Sequence, residues 1–122
     1  MNNCIFCQES ENILYSDDYW YAIYDKYPVS NGHVLIISKN HKKDYFDLDI
    51  MESITLNGFI HIIKEIIDKK FHPNGYNIGC NCGKCAGQTI NHFHLHLIPR
   101  YDNDVNDPTG GVRGVIPNKQ KY

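Results

Sequence analysis

The sequence predicts a single α+β domain in which a five-stranded antiparallel sheet carries one long helix. Five short segments rich in β-branched and aromatic residues predict strands, and one longer segment has apolar residues at helical spacing. The helical segment falls between the third and fourth strands, an order typical of α+β domains rather than of regularly alternating α/β domains. A length of 122 residues suits one hydrophobic core.

The first three strands occupy the front of the chain. Residues 13–15 predict a short strand and residues 16–18 a turn, and the aromatic-rich residues 19–24 predict a second strand. Asn31-Gly32 is a turn pair, and the almost wholly apolar residues 33–37 predict a third strand in the middle of the sheet.

The long helix is predicted over residues 49–70. Asp49 and Glu52 fit a D-x-x-E variant of the capping box at its start, and His72 to Gly75 break the chain after it. The apolar stripe that we expect to face the core is Met51, Ile54, Gly58, Phe59, Ile62, Ile63 and Ile66. The fourth strand is then predicted over residues 76–81.

The fifth strand contains three histidines that alternate with large apolar residues. Because successive side chains of a strand point to opposite faces, Phe93, Leu95 and Leu97 are predicted to enter the core together. His92, His94 and His96 are then predicted to stand in a row on the other face. A row of imidazoles suits either a metal site or nucleophilic and acid–base chemistry near neutral pH.

Composition excludes several classes of protein. The formal net charge of −2 gives no electrostatic reason to expect nucleic acid binding, and the apolar runs are far shorter than a membrane span. Residues 1–4 lack the basic and apolar regions of a signal peptide, so we expect a cytoplasmic protein. We expect residues 1–122 to form one domain, with a core over 1–100 and a tail or lid over 101–122.

The five cysteines, an odd number, argue against a disulfide framework. Cys4 and Cys7 form one C-x2-C pair, and Cys82 and Cys85 form another. In a cytosolic chain, the first interpretation of this spacing is a metal site.

Four segments of the chain resemble motifs of the histidine triad (HIT) family of nucleotide hydrolases and transferases. The row from His92 to Ile98 resembles the family's His-φ-His-φ-His-φ-φ motif, where φ is apolar. The other three are Gly87-Gln88-Thr89, the segment from Gly32 to His41, and Cys4-Ile5-Phe6-Cys7, which is typical of bacterial members. The resemblance implies a HIT-like fold with one long and one short helix, and a homodimer that joins two sheets into ten strands.

The resemblance also implies an activity at the α-phosphate of a purine nucleotide. His94 corresponds to the nucleophile that forms a nucleotidyl–histidine intermediate, with His96 and His92 as the other catalytic histidines. His96 is placed to hydrogen-bond a phosphate oxygen or the leaving group. A dinucleoside polyphosphate is the first choice of substrate. A nucleoside 5′-phosphoramidate, a non-catalytic nucleotide-binding module and a zinc-knuckle interaction protein are the alternatives.

Substrate-binding positions follow from the same resemblance. Ile5, Phe6 and Ile23 correspond to residues that line the base pocket, and Asp25 to the carboxylate that binds the ribose hydroxyls. The other positions, on the phosphate side and the substrate side, are His33, Asn81, Gly87, Gln88 and Thr89.

Two questions about metal and tail stay open in the sequence. The resemblance implies a structural zinc held by Cys4, Cys7, His41 and His92. A rival site would use Cys80, Cys82 and Cys85. Without a metal, Cys82 and Cys85 would be protonated thiols open to reversible oxidation. Arg113 belongs either to a flexible surface tail or to a phosphate-binding site.

Overall fold

The computed structural model describes residues 4–8 and 12–122, so most of the expectation for residues 1–4 falls outside the described residues. Its sheet has five strands in the order β1-β2-β3-β5-β4, and every neighbouring pair is antiparallel. The elements are β1 Ile13–Ser16, β2 Trp20–Tyr24, β3 Val34–Ser38, helix α1 Ile50–Phe71, β4 Gly75–Gly79 and β5 His94–Arg100. The predicted α+β fold with a five-stranded antiparallel sheet and one long helix is confirmed.

The two faces of the sheet pack against different parts of the chain. On one face, Phe93, Leu95 and Leu97 of the β5 region enter the main core together with buried residues of α1, as the alternating pattern predicts. On the other face, Phe6 packs with Tyr21, Leu35 and Ile37 in a smaller cluster. The alternation of β5 therefore directs His94 and His96 away from the helix, toward the face that the N-terminal segment covers.

The predicted inward face of the helix is correct only in part, although its position is correct. Phe59 and Ile63 are buried as predicted, and Ile66 packs against the core. Met51 and Ile54 are instead 48% and 64% exposed, and the other buried residues are Glu52, Leu56 and Ile67. Isoleucines lie on nearly all sides of this helix, so the apolar pattern does not define a single face. Only the packing against the sheet selects which side is buried.

The ends of α1 follow the predicted signals. The Asp49 side chain accepts a hydrogen bond from Glu52 N, and the Glu52 side chain accepts one from Asp49 N, which completes the capping box. His72 ends the helix in the left-handed conformation at φ 55°, directly before Pro73. The short second helix is not an α-helix in the described residues, where the other helical pieces are 3-10 turns.

Two strand boundaries differ from the prediction in ways that affect the site. β4 ends at Gly79 instead of residue 81, and β5 begins at His94 instead of residue 92. Asn81 and His92 therefore lie in loops, where their backbone groups are not committed to the sheet.

The tail folds back on the sheet through two 3-10 turns, Gly111–Val115 and Pro117–Lys119, and the first of these contacts β4. Arg113 donates hydrogen bonds to the carbonyls of Lys119 and Gln120, and its guanidinium lies over the Tyr122 ring. Its charge is therefore held within the tail. In the part of the chain that the structure describes, no helix is long and apolar enough to cross a membrane.

Candidate active site and metal centre

His94 is held by the backbone two residues before it. Its Nδ1 lies 2.9 Å from the carbonyl oxygen of His92, which can only accept a hydrogen bond. The hydrogen of a neutral His94 is therefore on Nδ1, and Nε2 carries a lone pair. The Phe6 ring packs edge-on against the imidazole, with 5.0 Å between ring centroids. This arrangement presents Nε2 as a nucleophile.

His92 is fully buried, and both of its ring nitrogens are engaged. Nε2 lies 2.7 Å from the carbonyl oxygen of Ser38, so it donates there, and Nδ1 points at Cys4 and His41. The predicted catalytic role of the His92 side chain is not supported, because neither nitrogen can reach a substrate. Its carbonyl oxygen instead fixes the hydrogen of His94 on Nδ1.

Four side chains converge on one point beneath the N-terminal segment. The ligand atoms of Cys4, Cys7, His41 and His92 all lie within 4.8 Å of one another. Cys4 Sγ and Cys7 Sγ are 3.2 Å and 3.4 Å from His92 Nδ1, Cys7 Sγ is 3.2 Å from His41 Nδ1, and the two Nδ1 atoms are 3.1 Å apart.

These separations fit a tetrahedral zinc ion. Zinc–sulfur and zinc–nitrogen bonds of about 2.3 Å and 2.0–2.1 Å place neighbouring N and S ligands about 3.5 Å apart. The hydrogen bond from His92 Nε2 to Ser38 leaves Nδ1 unprotonated, as a metal ligand must be. Burial also lowers the pKa of His92, which keeps the imidazole neutral. The four donors leave no open position for water, as in a structural site.

His96 contacts a second buried histidine rather than the backbone. His96 Nδ1 lies 2.9 Å from His33 Nε2, and Asp25 Oδ2 is 3.4 Å from that same His33 atom. Burial is the largest cause of a lowered pKa in both histidines, and it outweighs the opposite effect of Asp25. Both rings are therefore neutral at pH 7.

A cavity of about 340 Å³ adjoins the N-terminal segment, and we call it the knuckle-side cavity. Its lining includes all four residues that were predicted to contact the nucleoside: Ile5, Phe6, Ile23 and Asp25. Tyr21, Leu35 and Ile90 add further apolar surface. A flat apolar ring fits such walls, and a carboxylate at the edge suits hydroxyl groups.

A second cavity, of about 310 Å³, borders His96, and we call it the tail-side cavity. Asn81 and His96 line it together with Ile78 and Ile98 of the sheet, and Val112 and Val115 of the tail close it. None of the described residues that line it is a lysine or an arginine. Neither valine was predicted from the sequence, where their only signal is a spacing of three in a glycine-rich tail.

Gln88 is buried and engaged with the backbone, contrary to the expected donation to phosphate. Its Nε2 donates to the carbonyls of Lys43 and Ile90, and its Oε1 accepts from Gly83 N. Both amide hydrogens are thus used. Gln88 joins the loop that carries His41 to the loop that precedes the histidines. Thr89 and Gly87 are exposed beside it.

The rival metal site at Cys80, Cys82 and Cys85 is not assembled. Among the described residues, which include all three, their sulfur atoms form no cluster that could hold an ion. None of the five cysteines, all of which are described, forms a disulfide. Burial and the neighbouring Cys82 raise the pKa of the Cys80 thiol to about 11, so this thiol is protonated.

Comparison with known proteins gives consistent matches. The HIT domain family matches residues 7–103. An uncharacterized HIT-like protein of Methanocaldococcus jannaschii is 38% identical over 108 residues, which are 83% of this chain and 81% of that protein. The crystal structure of a HIT family protein from Bacillus anthracis has a TM-score of 0.78 and 41% identity, and the match covers 84% of this chain and 77% of that one.

Two further relatives bear on metal and activity. A zinc-bound histidine triad family protein from Mycobacterium smegmatis has a TM-score of 0.76 and 31% identity, with 84% of this chain and 78% of that chain covered. A Mycobacterium tuberculosis protein named AP-4-A phosphorylase is 34% identical over 100 residues, which are 80% of this chain but only 51% of that protein.

Proposed function

The chain belongs to the HIT family, and on that premise we propose that it hydrolyses purine nucleotides at the α-phosphate through a covalent bond to His94. One observation carries the proposal: the hydrogen bond of 2.9 Å from His94 Nδ1 to the His92 carbonyl leaves Nε2 as an unprotonated nucleophile. A neutral imidazole held in this way needs no separate base to attack phosphorus.

The reaction proceeds in two displacements. In the first, the lone pair of His94 Nε2 forms a bond to the α-phosphorus, and the bond from phosphorus to the leaving group breaks with its electron pair. In the second, a water oxygen attacks the same phosphorus and the P–N bond breaks. The nucleoside monophosphate leaves, the two hydrogens of water are divided between the two products, and His94 is restored.

The two cavities supply positions for the two halves of such a substrate. With the base in the knuckle-side cavity and the ribose hydroxyls at Asp25, the α-phosphate would lie near His94. The His94 ring packs against Phe6 of that cavity and against His96 of the tail-side cavity. His96 then donates from Nε2 to a phosphate oxygen, and the leaving group extends into the tail-side cavity.

A dinucleoside polyphosphate is the first candidate substrate. The relative named AP-4-A phosphorylase supports it by similarity. A nucleoside 5′-phosphoramidate is the second candidate. It is favoured by the walls of the tail-side cavity, which offer apolar surface and no lysine or arginine among the described residues that line it. An uncharged leaving group suits such walls better than a polyphosphate does.

We assign zinc a structural role at Cys4, Cys7, His41 and His92, in which it ties the N-terminal segment to the loop before β5. We also propose a homodimer with a ten-stranded sheet. β4 is the last strand of the sheet, so one of its edges pairs with no other strand of the described chain, and Ile78 on it is 48% exposed. Sedimentation equilibrium of the purified protein tests the dimer.

The first test uses intact-mass spectrometry after a rapid, acid-free quench. The protein is mixed with a dinucleoside tetraphosphate and, separately, with adenosine 5′-phosphoramidate. We expect a transient mass increase of one nucleoside monophosphate with at least one of them, and the substrate that gives it identifies the leaving group.

The matched control is His94→Ala, which should bind nucleotide but form no adduct and lose turnover by about 10³-fold or more. Turnover that survived this change would refute the mechanism. Binding without product for the wild type with either substrate would favour a non-catalytic nucleotide-binding module.

A further inference from the structure

A chain of hydrogen bonds runs from the backbone through His33 to His96. Val29 N–H donates to His33 Nδ1 over 3.2 Å, so His33 must carry its own hydrogen on Nε2. That Nε2 lies 2.9 Å from His96 Nδ1 and donates to it. A neutral His96 that accepts at Nδ1 has its hydrogen on Nε2, the nitrogen on the other side of the ring.

The same three groups could also be read as a metal site, because ligand atoms of Asp25, His33 and His96 lie within 4.8 Å of one another. A metal on His33 Nε2 would require the ring hydrogen to move to Nδ1. The Val29 N–H already points at Nδ1, so two hydrogens would then face each other. The backbone donor therefore favours the hydrogen-bond chain over the metal.

We propose that His33 is a positioning residue that fixes His96 in the tautomer with hydrogen on Nε2, ready to donate to the substrate phosphate. This inference rests on the proposed function and replaces the expected direct contact of His33 with phosphate. His33 is buried at 3% exposure, and its ring lies tilted by 43° against the His96 ring with 5.2 Å between centroids. It therefore acts through His96 rather than on the substrate.

Asp25 strengthens the same arrangement from the side. Its Oδ2 lies 3.4 Å from His33 Nε2 and 3.9 Å from His96 Nδ1, and its Oδ1 accepts from Tyr27 N. The negative charge favours a hydrogen on the His33 nitrogen nearest to it. The segment from Asp25 to Val29 thus supplies both the donor and the charge that orient the two rings.

Three substitutions separate the possible roles of His33. A glutamine amide reaches the position of imidazole Nε2 and can still donate to His96, so His33→Gln should keep most activity. An asparagine amide reaches only Nδ1 and can accept from Val29 but not donate to His96. His33→Leu removes both contacts. We expect His33→Asn and His33→Leu to lower kcat by about 10–100-fold, less than the 10²–10³-fold typical of deleting a transition-state donor.

The decisive readout needs no substrate. Long-range ¹H–¹⁵N NMR spectra report which nitrogen of His96 carries hydrogen. We expect Nε2–H in the wild type and His33→Gln, and a mixture of tautomers in His33→Asn and His33→Leu, with KM changed by no more than about threefold. If His33→Leu fails to fold by circular dichroism, His33→Asn carries the same expectation.

An unchanged His96 tautomer in His33→Asn, or kcat within twofold of wild type, would overturn the inference. Failure of the proposed function would look different: the wild type would show no turnover, while the tautomer of His96 would still respond to His33. A parallel loss in His33→Gln and His33→Leu would indicate packing rather than hydrogen bonding, and would also overturn it.

Discussion

Burial of two neutral histidines makes the stability of the folded protein depend on pH. His33 and His96 have pKa values lowered from 6.5, chiefly by burial and against the effect of Asp25. As pH falls, the unfolded chain binds protons first, at pH values near 6.5. The stability present above that value is therefore lost progressively as pH falls through the lower pKa values of the folded state.

We expect the free energy of unfolding, measured by urea titration at saturating zinc, to fall more steeply below about pH 6.5 in the wild type than in His33→Gln. The difference in slope should be at most about 1.4 kcal/mol per pH unit for the one group removed. Competition of protons for the zinc ligands is common to both proteins and cancels. Equal slopes would mean that the folded protein does not keep His33 neutral.

Replacing Gln88 should lower the stability of the folded protein more than it weakens substrate binding. Replacing it with methionine, which has a similar length, leaves the carbonyls of Lys43 and Ile90 and the amide of Gly83 without their partner. We expect a loss of about 2–4 kcal/mol in the free energy of unfolding. Urea denaturation measures it, with Thr89→Val, an exposed neighbour, as the control. If the free energy of unfolding were unchanged and KM rose instead, the result would support the predicted hydrogen bond from Gln88 to a phosphate.

Among the elements, α1 is the one whose inward face was predicted only in part, and the side that the structure buries can be tested directly. Ile63 is fully buried, whereas Ile54 on the same helix is 64% exposed. We expect Ile63→Ala to cost about 3 kcal/mol in thermal or urea unfolding. Ile54→Ala should stay within about 0.5 kcal/mol. A reversed order would mean that the helix presents its other side to the sheet.

The tail-side cavity allows a change of specificity at one position of the tail. Val112 lines this cavity and is 60% exposed, so a longer side chain there fits without disturbing the core. Val112→Lys should raise kcat/KM for a dinucleoside tetraphosphate relative to a phosphoramidate by about tenfold, because it places a cation beside the leaving polyphosphate. Steady-state kinetics with both substrates measures the ratio. Val112→Gln, of similar length and without charge, should leave it unchanged.

Signals between neighbours in sequence predicted the helix and strands well. Contacts between distant parts of the chain could not be predicted from the sequence. The capping box at Asp49 and the alternation of Phe93, Leu95 and Leu97 depend on neighbours in sequence, so both were correct. The engagement of Gln88 with Lys43 joins loops 45 residues apart, and no spacing in the sequence reports it. The hydrogen-bond chain through His33 likewise needs the pairing of β3 with β5, which only the fold supplies.

For the whole molecule, we expect a metal content of one zinc ion per chain. Elemental analysis should give one equivalent for the wild type and for Cys82→Ser/Cys85→Ser, and less than a tenth of that for Cys7→Ser. At a hundredfold excess of zinc over its Kd, binding should add about 3 kcal/mol of stability, which a chelator removes. Two equivalents in the wild type would instead support the zinc-knuckle interaction protein.

The four residues that we assign to zinc are far apart in the sequence. Cys7 and His41 are 34 residues apart, and His41 and His92 are 51 residues apart, so an ion bound there would close two long loops. Because a ribosome synthesises the chain from its N-terminus, His92 is made after the other three ligands. His94, the proposed nucleophile, and β5, which pairs with both β3 and β4, follow His92 in the chain. We therefore expect metal capture, completion of the sheet and assembly of the site to wait until this stretch is made, and a nascent chain stopped before residue 92 would lack all three.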